Sequence, residues 1–162
     1  MTGPAALIVV AGLGSQYRRD DGAGPLVAAR AVEEAGIGRD IGPMTDPLDL
    51  LGVWDGAELA VVVDAVRSGA APGTVHEVEL AGDTAAGAPA DRSAMTSTHG
   101  IGLAGVLRLA RAVGHAPGRV VVVGIEGEDF SRGTGLSPAV GAALPVAVQR
   151  VVELIGKVRT CV

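Results

Sequence analysis

Four residues in this 162-residue chain carry acid–base or ligating chemistry in separate segments: Asp21, Asp64, His99 and Glu126. Asp21 belongs to Asp20-Asp21-Gly22, just ahead of an amphipathic run. Taken alone, acids there read as helix caps, stabilised by free N–H groups and the helix dipole. Asp64 interrupts the apolar run VVVDAV. A carboxylate is costly inside such a strand, so it is expected at the strand's wet end, either capping a loop or serving a site. His99 follows Ser97-Thr98, either of which would cap the helix that starts nearby. Ser97 lacks the strand–elbow context of a serine nucleophile. Glu126 ends another apolar run and either touches a ligand or braces the loop beyond it. His76 and His115 sit in a polar-alternating stretch and a Gly/Pro turn, where solvation is expected. Two carboxylates and an imidazole form an oxygen, oxygen, nitrogen set suited to a borderline divalent metal such as nickel, zinc or cobalt. Without a fourth protein ligand, such a site is open to water or to a metal held by another molecule.

The elements that must position these residues follow from periodicity. Residues 5–11, 59–66 and 120–125 are continuous apolar runs rich in β-branched side chains, the pattern of strands buried on both faces. Residues 74–80 alternate apolar and polar, as a half-exposed strand does. Helical spacing appears over 24–35, from about Gly100 to Val113, and onward from Ser137-Pro138. A short helix is expected over 48–54, opened by Asp46-Pro47. Residues 81–92, rich in Gly, Ala and Pro, read as a loop. Strands alternating with helices imply one α/β domain over 1–162, a largely parallel sheet covered on both sides. Ligands bind such sheets beyond the C-terminal strand ends, where all four residues are expected to converge.

Composition removes several alternatives. Thirteen basic residues against 18 acidic ones give a formal charge of −5, with no basic stripe for a nucleic acid. Aromatics are limited to Tyr17, Trp54 and Phe130, so no base-stacking platform exists. Gly12-Leu-Gly14 begins a dinucleotide fingerprint, but Tyr17 takes the third glycine's place and Asp20-Asp21 would repel a pyrophosphate. The single Cys161 forms no internal disulfide, which suits a cytoplasmic protein. The uncharged stretches 1–17 and 133–149 fall short of about 20 apolar residues, so no membrane span is expected.

At these same residues the chain resembles the hydrogenase maturation proteases. The runs carrying the likeness are 12–24 (GLGSQYRRDDGAG), 61–66 (VVVDAV), 97–103 (STHGIGL) and 124–130 (GIEGEDF), then 135–138 (GLSP). They keep the family's order over nearly the whole chain. The resemblance implies a three-layer α/β/α sandwich around a twisted, mostly parallel five-stranded sheet. It implies an aspartyl-type endopeptidase that removes the C-terminal extension of a nickel–iron hydrogenase large-subunit precursor after nickel insertion. Asp21, Asp64 and His99 match the family's metal-contacting positions and are its implied catalytic set. The resemblance further implies that the nickel belongs to the substrate and that no cofactor is permanently bound; a cytoplasmic monomer is expected. Ser15 stands where the family usually has Asn, and residues 45–51 lack the Gly-Thr-rich turn of many members, a segment expected to touch the substrate. Two readings from other classes remain: a metal-dependent hydrolase of small molecules, and a non-catalytic checkpoint protein for nickel-loaded precursor.

Overall fold

The computed structural model describes residues 5–80 and 102–160. Five strands, β1 (Ile8–Leu13), β2 (Arg39–Met44), β3 (Leu59–Val66), β4 (Val75–Leu80) and β5 (Arg119–Glu126), form one sheet in the order β2-β1-β3-β5-β4. All neighbours are parallel except β4, which runs antiparallel to β5. The three uninterrupted apolar runs take the centre, because only there are both faces covered.

The strand β2 has no counterpart in the sequence reading. Its residues, Arg-Asp-Ile-Gly-Pro-Met, show neither alternation nor an apolar run. Pairing with β1 creates it, with an irregular register opposite Val10 to Gly12. Pro43 is tolerated because β2 is an edge.

Helices α1 (Ala23–Ala35) and α3 (Pro138–Thr160) cover one face of the sheet, and α2 (Leu103–Val113) with a 3-10 turn (Pro47–Gly52) covers the other. Val10, Val61 and Val123 point to the α1/α3 side, while Ala11, Val62 and Val120 point to the α2 side. The expected cap at Asp46 is present, its Oδ1 accepting from the Leu48 amide at 2.9 Å. Ser97 and Thr98, the expected caps of the later helix, lie outside the described residues; α2 starts at Leu103 with Gly102 as its N-cap.

Within the uncharged stretch 133–149, α3 begins at Pro138 and runs on through Gly141 and Pro145. Pro145 faces solvent, where water can take the carbonyl it leaves unpaired. Over Pro138–Arg159, α3 is long and apolar enough to cross a membrane, with a mean hydropathy of 1.5. Val140, Ala147, Val151 and Ile155 on one of its faces are buried against α1 and the sheet, as in the core helix of a layered α/β protein.

Candidate active site

The chain leaves β1 toward the β2 edge and returns through β3 toward β5, so the direction of winding reverses between β1 and β3. The crevice beyond the C-terminal ends of these two strands is the ligand position of doubly wound sheets. Asp21 lies in a 3-10 turn (Arg19–Gly22) that follows β1 and packs against β3. Asp64 stands on β3, two residues before its end. Both expected carboxylates therefore lie at this end of the sheet, one in the turn after β1 and one near the end of the neighbouring strand β3.

Neither is at a wet surface. Asp21 is 1% exposed and Asp64 3%, so the expectation that Asp64 avoids burial is overturned. The first loop is shaped to receive Asp21: Ser15 donates its amide to Asp21 Oδ2 at 2.8 Å, and Arg18 Nη1 stands 4.0 Å from the same oxygen. Gly14, at φ 124°, lies so close that a Cβ would sit 1.9 Å from the Asp21 carbonyl oxygen. At the start of α1, a Cβ on Gly24 would be 2.5 Å from the carbonyl oxygens of both Leu13 and Val63. A bare backbone there seats the helix over the gap between β1 and β3.

Asp20 is not a cap of α1, whose N-cap is Gly22. It is fully buried and ties the first loop to the β5–α3 connection. The amides of Glu128 and Asp129 donate to its Oδ2 at 2.9 Å; the Ser137 amide donates to Oδ1 at 2.7 Å and the Ser137 hydroxyl to Oδ2 at 2.9 Å. Burial works against its charge, but these donors outweigh burial and hold its pKa below the ordinary Asp value.

Glu126 is a brace. Its buried carboxylate accepts from the Ser68 amide at 2.7 Å, the Ser68 hydroxyl at 2.8 Å and the Gly69 amide at 3.0 Å. His76 Nε2 lies 3.3 Å away, so His76 is engaged and not simply solvated as expected. Burial opposes the charge of Glu126, and the Ser68, His76 and Gly69 contacts bring its pKa below the usual range. His115 is exposed as expected, its Nδ1 2.8 Å from Asp55. His99 lies outside the described residues. Among the described residues, no group of three or more His, Cys, Asp or Glu could hold a metal ion.

A cleft of about 570 Å³ opens beside the Asp21 loop. Ser15, Tyr17 and Arg19 of that loop, Leu26 and Ala29 of α1, and Met44 of β2 line it. Thr45 and Asp49, from the segment expected to touch substrate, line it too. No local pattern marks this cleft, because its walls come from four separate parts of the chain.

The family model described as hydrogenase maturation protease matches residues 41–154. The hydrogenase expression/formation protein HupD of Rhodobacter capsulatus is 30% identical over 153 residues, covering 90% of this chain and 70% of HupD. The hydrogenase maturating endopeptidase HybD of Escherichia coli superposes with a TM-score of 0.73 at 26% identity, covering 93% of each chain. HybD of Thermococcus kodakarensis, a [NiFe] hydrogenase maturation protease, gives 0.69 at 27%, covering 93% of this chain and 97% of its own. These likenesses favour a peptidase over a small-molecule hydrolase or a non-catalytic checkpoint protein. With carboxylates at the switch point of the same layered sheet, the chain belongs to the hydrogenase maturation protease family.

Proposed function

We propose that this protease removes the C-terminal extension of a nickel–iron hydrogenase large-subunit precursor after nickel has been inserted. The observation that carries this reading is the pair Asp21 and Asp64, both buried, the first in the turn after β1 and the second near the end of the adjacent strand β3. On this reading the nickel arrives with the substrate, and the protease carries no metal of its own. Asp21, Asp64 and His99 engage that nickel and set the scissile bond beside it. Support for including His99 comes from α2, which it precedes by four residues. The far end of α2 is tied to the start of β3 through His115 and Asp55, so the helix begins toward the C-terminal edge.

Water then attacks the carbonyl, whose oxygen is polarised by the substrate's metal, and a carboxylate of the pair takes the proton. Such chemistry is aspartyl-type in its protein component. The new amine leaves with the extension, and the precursor gains a free carboxylate. One chain supplies both carboxylates, which supports a monomer, and the single Cys161 supports a cytoplasmic place of action.

The test mixes the protein with nickel-loaded and nickel-free precursor and weighs the precursor by mass spectrometry. A discrete mass loss only in the nickel-loaded sample is expected. Asp21→Asn and Asp64→Asn should each slow cleavage by about a hundredfold or more while complex formation persists. Cleavage regardless of nickel would sink the metal-reading role of the three residues.

A further inference from the structure

Arg19 is the one described residue other than glycine with a positive φ, at 46°. Non-glycine residues adopt that conformation at a cost, and such strain concentrates where a side chain must be aimed. Here the aim is fixed twice. The Arg19 amide donates to the Gly133 carbonyl at 3.1 Å, and the guanidinium is pressed so closely on Gly133 that a Cβ there would meet its Cζ at 3.0 Å. Gly133 has φ 144°, so its backbone as well as its neighbour demands glycine. The result is a cation on the wall of the cleft beside the Asp21 loop.

This cation is incompletely used. Its Nε lies 3.6 Å from Asp129 Oδ2, an ion pair too long for a hydrogen bond, and the side chain is 42% exposed, so the guanidinium is loosely paired and open to a further partner. The remaining walls are largely apolar, with Leu26, Ala29, Met44 and Leu136 facing a volume within the about 300–1,000 Å³ usual for ligand clefts. A planar fork of N–H donors in an apolar cleft fits a carboxylate carried on an otherwise apolar peptide segment.

We propose that the cleft seats part of the precursor's C-terminal extension, and that Arg19 determines specificity by binding a carboxylate of that segment. The proposal rests on the proteolytic reading above, because the cleft shares its first loop with Asp21. Arg19 selects the substrate and does not touch the reacting atoms.

Steady-state cleavage of nickel-loaded precursor tests it. Arg19→Gln should raise KM by about tenfold to a hundredfold with kcat little changed, as expected for loss of a charge-assisted hydrogen bond. Arg150→Gln, on the exposed side of α3, should change neither. Independently, wild-type protease should show the same rise in KM when the carboxylates of the extension, its terminal one included, are neutralised in turn. Arg19→Glu should regain activity on precursor carrying Lys at the sensitive position. An unchanged KM in the neutralised precursors overturns the role of Arg19 even if the protease variants fold poorly. Failure of wild-type protease to cut the unaltered nickel-loaded precursor overturns the proteolytic reading, and the role of Arg19 falls with it.

Discussion

Asp20 and Asp21 are adjacent acids with different work. Asp20 spends its carboxylate on four donors of the β5–α3 connection, whereas Asp21 belongs to the first loop and the crevice. Replacing a buried carboxylate that satisfies so many donors leaves them unmet, so Asp20→Ala should lower stability by about 2–4 kcal/mol in urea denaturation. Asp21→Asn keeps an acceptor for the Ser15 amide and should cost about 1 kcal/mol or less of stability, so its slowed cleavage would not come from unfolding. The pH dependence follows from the lowered pKa of Asp20. Its contribution is fully present above the ordinary Asp range and is lost as pH falls through its folded-state value. Stability curves of wild type and Asp20→Ala should therefore converge in acid. Curves that stay parallel down to acid pH would contradict the assignment.

At the scale of elements, the site depends on how closely α1 approaches the sheet. The methyl group in Gly24→Ala would collide with two carbonyl oxygens that belong to the ends of β1 and β3, and neither can move without breaking register. We expect a loss of about 2–4 kcal/mol, read as a fall in melting temperature, with cleavage reduced beyond what the unfolded fraction accounts for. A variant with unchanged melting and activity would mean that α1 can shift freely. The other side of the crevice is held by Glu126, which fastens the turn after β3 to the end of β5 and reaches β4 through His76. Neighbouring strand ends are thus clamped by one carboxylate on either side of the site, Asp20 and Glu126.

For the molecule as a whole, one sheet separates two apolar clusters of unequal size. Trp54, the single tryptophan, is fully buried in the smaller one, on the α2 side. The valines of β1, β3 and β5 alternate between the clusters, so neither layer can lose its packing without exposing strands that the other needs. Trp54 fluorescence and far-UV circular dichroism should accordingly report one coincident unfolding midpoint in denaturant. An earlier fluorescence change would show that the α2 layer opens as a separate unit.

The sequence by itself determined the central strands, the helical faces and the order of the acid-bearing motifs. Each is written locally, as runs of β-branched residues in β1, β3 and β5 or as apolar spacing in α1 and α3. The position of Asp21 and Asp64 near the C-terminal ends of β1 and β3 was legible because each follows or closes an apolar run, and such runs form parallel strands that end at one edge. Tertiary structure alone decided that residues 39–44 are a strand, since their pairing with β1 and not their composition makes them one. It decided that Asp20 braces a loop 117 residues away, and that Arg19 leans on Gly133 to face a cleft. Periodicity records which face of an element is buried; it carries no record of which distant donor or backbone will meet a given side chain, because that depends on how the layers pack.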